Sequence, residues 1–398
     1  MDFEPSDKVK SLLETLERFM KEHVEPADKI AAEQIEASGD PHHQPEIVRE
    51  LQRKARLVGL WNLFMPDERY GAGLTNLEYA PLCEVMGRSW IAPRVFNCAA
   101  PDTGNMEILA EFADDEQTRT YLEPMLAGEI RSCFSMTEPE VSGADPTGLQ
   151  TLAKRDGDEY VINGHKWFTS GAIGAKFAIV MAVTNPEADS HARASMIIVP
   201  TDTPGFNLIR AVSVMGHVGD GGHCEIRYVD CRVPVENRLG PEGGGFMIAQ
   251  ARLGPGRIHH CMRAIGAAQR AYEIMVNHAT NRRAFGSTLG EKQFVQEFIA
   301  TSKMEIDQAR LLTLYAAWKM DTLGKKAARQ EISMIKVVAP NMFMNVLDRA
   351  IQVLGALGVS DDTPIAAMWR QGRMLRIADG PDEVHKMVIA RRELRKYA

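Results

Sequence analysis

Asp379 is the residue of this chain best suited to act as a base. It stands in Ala-Asp-Gly-Pro-Asp-Glu-Val-His-Lys, residues 378–386. A carboxylate can take a proton from carbon when a dry surround raises its pKa toward neutrality. The same residues also read as a helix start. Asp379 and Gly380 precede Pro381, Glu383 falls in the first turn, and Arg391 to Lys396 closes the helix with positive charge. That is capping and dipole design.

A second chemical stretch covers residues 131–171, RSCFSMTEPEVSGADPTGLQTLAKRDGDEYVINGHKWFTSG. Thr137-Glu138-Pro139 and the small residues after it predict a loop whose backbone donors and hydroxyls are open to a ligand. Trp167 offers a flat indole and Thr169 a hydroxyl, and strand alternation places both on one face. A planar aromatic cofactor needs such a cradle. The alternative is a surface hairpin with a packed Trp.

Other candidates are weaker. His259, His260 and His385 invite a metal, but no carboxylate or cysteine spacing completes a shell. Adjacent helical residues also diverge. No metal is expected. Arg282 and Arg283 at a helix end read as solvated surface. No Gly-x-Gly-x-x-Gly follows a strand, so a nicotinamide Rossmann site is not indicated.

The elements that must position these groups fall into three stretches. Residues 1–129 read as helices: Leu12, Leu13, Leu16, Phe19 and Met20 recur at threes and fours until Pro26,. Further helical runs cover 46–60, 77–89 and 103–113, and a fifth opens at Asp114-Asp115-Glu116. From 130 to 240 the runs are short and alternating, with strands at 177–184, 194–199 and 224–233, which predicts an all-β sandwich or barrel. Within it, residues 160–162 should turn through Asn163-Gly164 into 165–168, since Asn-Gly between apolar runs is a strong hairpin signal. Residues 216–222 form a glycine-rich loop. From 241 to 398 the pattern is helical again. Residues 301–323 and 331–354 are apolar on more than one face, so those helices are expected inside a bundle or against partner subunits. The fold class is α+β.

Bulk properties exclude several functions. The formal net charge is -7, hydrophobic residues make 45% and charged residues 25%. An acidic chain without a basic stripe is not a nucleic-acid or anionic-membrane binder. No apolar run is long enough to span a bilayer. The acidic start MDFEPSDKVK lacks a secretory or mitochondrial pattern, so a cytoplasmic chain is expected. Six cysteines without CxxC spacing read as reduced, buried thiols,.

With these motifs in hand, the chain resembles the acyl-CoA dehydrogenase family over nearly its whole length. The family's flavin-binding pattern is Thr-Glu-Pro, small residues, Asn-Gly, Lys, an aromatic pair, then Thr or Ser. Here it falls on Thr137, Glu138, Pro139, Asn163, Gly164, Lys166, Trp167, Phe168, Thr169 and Ser170. The resemblance implies an N-terminal helical domain (1–129), a middle β-domain (130–240) and a C-terminal four-helix bundle (241–398). It implies FAD held by Phe134, Met136, Thr137, Ser142, Trp167, Thr169 and Ser170. It also implies an acyl-CoA substrate met by Arg257, Gly380 and Ser142.

The family's base is usually a Glu followed by Gly, with Thr-x-Gln after it. Those sites are Asp379, Gly380, Pro381 and Glu383 here, the last two on the cofactor side. Some members carry the base just before an Arg on an earlier helix, but that position is Gly256, before Arg257. Arg282, Phe285 and Gln293 fit an Arg-x-x-Phe-Gly motif that reaches a neighbouring subunit's nucleotide, where a pyrophosphate suits a forked cation. Gln352 and Gly355 fit a second such segment, in which Ala356 replaces a Gly. A second departure is the flavin loop, one residue longer than usual. It sets Ala144 at the family's Ser, with Ser142 as its substitute.

The activity implied is α,β-dehydrogenation of an acyl thioester, as in fatty-acid β-oxidation. Asp379 takes the α-proton, FAD takes the β-hydride, and an electron-transferring flavoprotein takes the electrons. A homotetramer, built as a dimer of dimers, or a homodimer is expected, without nucleic acid or membrane insertion. Two rivals stand beside it. One is a flavin oxidase of the same fold resembling nitroalkane oxidases, which use an Asp base. The other is a non-catalytic acyl-CoA-binding member.

Overall fold

The computed structural model describes residues 3–219 and 221–397; Met1, Asp2, Asp220 and Ala398, and with them the ends of the chain and one position of the 216–222 loop, lie outside the described residues. The chain forms two compact units. One comprises Met1–Asp28, Val58–Pro93 and Gly254–Ala398, the other Lys29–Leu57 and Arg94–Leu253.

The first unit is helical. It contains Asp7–Phe19, Asn76–Met86, most of the long helix Gly245–Asn281, then Gln293–Leu323, Arg329–Leu354, Ile365–Leu375 and Asp382–Leu394. Local chemistry sets the starts. Thr75 and Glu78 form a reciprocal capping box, which satisfies two of the backbone donors a helix start leaves orphaned. Helices Asn76–Met86 and Gly245–Asn281 touch backbone to backbone, since a Cβ built at Gly266 would lie 1.8 Å from the Glu84 carbonyl oxygen and one at Gly87 2.3 Å from that of Arg263. Arg310 clamps Glu84 with Nε–Oε2 at 2.9 Å and Nη2–Oε1 at 2.8 Å. The helix Arg329–Leu354 is buried on several sides, including Ile335, Lys336, Phe343 and Val346. In Gln293–Leu323 the buried positions form one stripe from Ser302 to Met320. Phe294, Met304 and Leu311 are exposed, because this unit covers only one face of that helix.

The second unit is built on one eight-stranded sheet. Its strands are β1 (Ser132–Ser135), β2 (Leu152–Asp156), β3 (Glu159–Ser170), β4 (Phe177–Val183), β5 (Ala194–Pro200), β6 (Phe206–Ala211), β7 (His223–Pro234) and β8 (Arg238–Leu239). The order is β6-β7-β3-β2-β4-β5-β8, with β1 parallel to β4. Every residue of β4 is buried, as a continuous apolar run at a sheet centre requires. The fifth helical run begins as expected, with Asp114 accepting from the Gln117 backbone N–H at 2.8 Å.

The Asn163-Gly164 hairpin does not form. Strand β3 runs straight through those residues, and the turn lies earlier, where Asp156 pairs with Glu159 around Gly157 at φ 64°. Asn163-Gly164 is instead a register shift against β7. The Asn163 side chain exchanges hydrogen bonds with Asp230, and a Cβ at Gly164 would stand 2.3 Å from Thr151 Oγ1. This glycine admits a neighbouring side chain rather than turning the chain.

All six cysteines are buried and none is in a disulfide. Among the described residues no helix is long and apolar enough to cross a membrane.

Candidate active site

Asp379 is not the N-cap residue of the last helix. That helix is Asp382–Leu394, and its N-cap is Pro381, whose side chain makes no capping bond. Asp379 sits three residues ahead in the left-handed region, at φ 56°. Aspartate tolerates that conformation better than most residues, but it is uncommon and concentrates at functional sites. Two side chains hold its backbone: Arg257 Nε donates to the Asp379 carbonyl at 3.0 Å, and His385 Nε2 approaches it at 3.2 Å. Its carboxylate Oδ2 lies 3.2 Å from His260 Nε2. At the helix start the Asp382 backbone N–H donates to the Arg376 carbonyl at 3.2 Å. Buried Asp382 accepts from Arg376 Nε at 2.9 Å and Asn341 Nδ2 at 3.0 Å.

The groups around Asp379 are cationic or donors. Burial first, then the Arg257 and Lys336 charges, lowers His385 from its ordinary 6.5 to about 4. It is neutral at physiological pH, and since a carbonyl only accepts, its Nε2 carries the proton. Lys336 is buried, which lowers its pKa, and its Nζ donates to the Leu375 carbonyl at 2.6 Å. Burial also lowers Arg257, with Asp379 opposing. Gly380 and Arg257 thus lie beside Asp379 in one cluster. At Gly256 a Cβ would meet nothing within 4 Å, and no carboxylate stands there.

The cradle residues belong to the other unit. The Thr137 Oγ1–H donates to the Trp167 carbonyl at 2.7 Å, and the Trp167 N–H donates to the Thr137 carbonyl at 3.0 Å. These bonds tie the loop to β3. Trp167 and Thr169 do not share a face. A register shift separates Lys166, opposite Ile226, from Thr169, opposite Cys224, and Phe168 lies between at φ 50°. Trp167 and Phe168 together face one partner residue, and Thr169 turns inward with Lys166. Its hydroxyl meets Ser135 Oγ at 3.2 Å, which in turn accepts from Tyr228 at 3.1 Å.

Under the loop lies a buried ion pair. Lys166 Nζ donates to Glu138 Oε1 at 2.9 Å and to the Met136 carbonyl at 2.7 Å, while Glu138 accepts from the Gln150 and Thr151 backbone N–H groups. Burial lowers the Lys166 pKa, with Glu138 opposing. Phe134, Met136 and Trp167 are half-buried and Phe168 is exposed. Arg252 lies 4.2 Å over the Phe134 ring. Ser170 pairs with His223 at 2.7 Å. This set fits a flat apolar ring with polar edges, because the Thr137 and Ser170 hydroxyls keep acceptor capacity. Ser142 and Ala144 are both exposed on the loop.

The remaining candidates are on the surface. Arg282, Phe285 and Gln293 are exposed around the turn after the long helix, and Gln352 and Gly355 at the end of Arg329–Leu354. The tight glycine there is Gly358, whose Cβ would lie 2.7 Å from Ile351 Cα, whereas Ala356 is exposed. Glu383 is exposed and Pro381 half-buried. Sequence reasoning missed His260, Arg263, Lys336 and the bond from His385. The spacing of His260 and Arg263 was a usable signal, since residues three apart share a helix face.

Comparisons with known proteins agree with this fold. The acyl-CoA dehydrogenase N-terminal, middle and C-terminal domain models match residues 6–129, 133–231 and 243–394. The chain belongs to the acyl-CoA dehydrogenase family, whose members are flavin-dependent oxidoreductases. It is 54% identical over 398 residues to "Probable acyl-CoA dehydrogenase FadE2" of Mycobacterium tuberculosis, covering 99% of this chain and 97% of that one. It is 50% identical to "Acyl-CoA dehydrogenase family member 11" of Gallus gallus, covering 98% of this chain but only 51% of that longer protein. A solved Mycobacterium abscessus chain named for the same family superposes with TM-score 0.96 at 46% identity, covering 99% and 100%. Butyryl-CoA dehydrogenase of Megasphaera elsdenii superposes with TM-score 0.84 at 28% identity, covering 99% and 100%.

Proposed function

We propose that this protein is an FAD-dependent acyl-CoA dehydrogenase that converts an acyl-CoA thioester to the trans-2-enoyl-CoA, with Asp379 as the base. The observation that carries the reading is the state of Asp379. Its carbonyl is held by Arg257 and His385 and its carboxylate faces His260, while the N-cap of the helix it precedes is Pro381. A carboxylate whose backbone is fixed in this way can serve as a positioned base.

Bound FAD would accept the β-hydrogen of the acyl chain as hydride. Phe134, Met136 and Trp167 supply the wall of its cradle, with Thr137, Ser142 and Ser170 at the edge; Thr169 supports it from behind through Ser135. Asp379 takes the α-proton, and the Gly380 turn and Arg257 bind the thioester. Phe285 is 99% exposed, as is fitting for a side chain that awaits cover. With Arg282, Gln293, Gln352 and Gly355 it would meet a neighbouring subunit's nucleotide in a dimer or a dimer-of-dimers tetramer. Pro381 and Glu383 would stand on the cofactor side of the last helix. Electrons would leave to an electron-transferring flavoprotein.

The test is anaerobic bleaching of the flavin absorbance by a panel of acyl-CoAs, for the wild type and Asp379→Asn. Bleaching by one chain class in the wild type and not in the variant supports the activity and the base. A flavin-loaded wild type that no acyl-CoA bleaches refutes the reading. In that case a nitroalkane panel in air tests the oxidase, which the Asp base favours.

A further inference from the structure

The backbone of Asp379 is fixed by Arg257 and His385, but neither bond sets the direction of its carboxylate. The terminal torsion of an aspartate is broad, without three sharp wells, so a carboxylate held only at its backbone is poorly aimed. Angstrom-scale misplacement of a catalytic group costs about 10²-fold. Something beyond the backbone must aim this one.

His260 and Arg263 lie three apart on Gly245–Asn281, on one helix face,. Arg263 Nη2 is 3.2 Å from His260 Nδ1, and His260 Nε2 is 3.2 Å from Asp379 Oδ2. A guanidinium has donors only, so Nδ1 accepts and the imidazole proton sits on Nε2. A carboxylate has acceptors only, so the Nε2 proton is the one that can be donated to Oδ2. Each donor thus meets an acceptor along the line. Arg263 is itself anchored: its carbonyl packs on Gly87, and Nη1 reaches Cys83 Sγ at 3.8 Å.

We propose that Arg263 and His260 form a fixed hydrogen-bond relay that aims the Asp379 carboxylate, making His260 the positioning residue of the base. The inference rests on Asp379 being the base of the reaction proposed above. Arg263 selects the Nε2–H tautomer of His260, and that N–H holds one carboxylate oxygen and thereby the direction of the other.

The experiment uses FAD-loaded protein and two readouts. The first is the side-chain ¹⁵N spectrum of labelled histidine, with His260 assigned by His260→Gln. We expect the Nε2–H tautomer and a shift of its signal in Asp379→Asn. An Nδ1–H tautomer, or a signal that Asp379→Asn leaves in place, overturns the relay. The second is the limiting rate of flavin bleaching by an acyl-CoA that reduces the wild type. His260→Ala should slow it roughly ten- to hundredfold, the range of one hydrogen bond to a charged group, with half-saturation unchanged. His260→Gln, whose amide N–H takes the Nε2 place, should restore most of the rate. Wild-type bleaching by His260→Ala, or failure of His260→Gln to recover rate, overturns the positioning role. If no acyl-CoA bleaches the wild type, the dehydrogenase reading has failed, and the tautomer spectrum still decides the relay.

Discussion

A methyl group at Gly380 would stand 2.8 Å from Nε2 of His385, the nitrogen that meets the Asp379 carbonyl. The turn before the last helix and the imidazole are built around each other. Gly380 lies at φ 100°, where a side chain is strained whatever room it has. Gly380→Ala is therefore expected to lower stability by about 1–3 kcal/mol and to push His385 off the Asp379 carbonyl. FAD content should hold, since the cradle residues belong to the other unit. Thermal melting, flavin absorbance per chain and acyl-CoA bleaching separate these effects, and unchanged bleaching in Gly380→Ala would remove His385 from the site.

The Lys166–Glu138 pair gives a second test. Both side chains are buried, at 0% and 2% exposure, so removing one leaves the other charged and without its counter-ion. Lys166→Met is expected to cost roughly 3–5 kcal/mol and to weaken FAD retention by loosening the Met136–Thr137 backbone. The double variant Lys166→Met with Glu138→Gln should recover part of that loss. Chemical denaturation of the two singles and the double measures the coupling. Additive losses would contradict it.

Much of this was legible from local chemistry. The acidic helix start at Asp114, the central strand at 177–183 and the loop after Thr137 all follow from nearby residues. Two local signals misled for physical reasons. Asn163-Gly164 has turn composition, but Thr151 and Asp230 use those residues inside the sheet, and Gly157 makes the turn. Alternation placed Trp167 and Thr169 together, but the left-handed Phe168 resets the register between them. The contacts of Asp379 were beyond local reasoning altogether. Its partners His260 and Arg257 sit on a helix more than a hundred residues earlier, and only packing brings them together.

Stability should fall on acidification through His385. Its folded pKa is about 4 against an ordinary 6.5, so between those values the unfolded chain binds the proton more readily. The contribution is present above about pH 6.5 and is lost as pH falls toward 4,. Buried His259, whose pKa is also lowered, adds to the same slope. His385→Gln is expected to flatten the decline, with His259 keeping the remainder. Melting temperatures from pH 4 to 8 check this, and an unchanged slope in His385→Gln would mean that the imidazole is not buried neutral.

The crossing of Asn76–Met86 and Gly245–Asn281 decides whether the His260–Arg263 face is held in place. A Cβ at Gly266 would lie 1.8 Å from the Glu84 carbonyl oxygen, a backbone atom that cannot rotate away. Replacing glycine by alanine inside a helix ordinarily stabilises by about 1 kcal/mol. Here overpacking, about 1–3 kcal/mol or more, must exceed that gain, because the two helices have to part. Gly266→Ala is thus expected to destabilise, whereas Gly256→Ala on the same helix, with nothing within 4 Å of its added Cβ, should stabilise by up to about 1 kcal/mol. Parting the helices also frees the Arg263 carbonyl from Gly87 and slackens the line to Asp379. Melting of both variants beside the bleaching rate of Gly266→Ala tests this. A destabilised Gly266→Ala with wild-type bleaching would show that the crossing supports the fold without supporting the base.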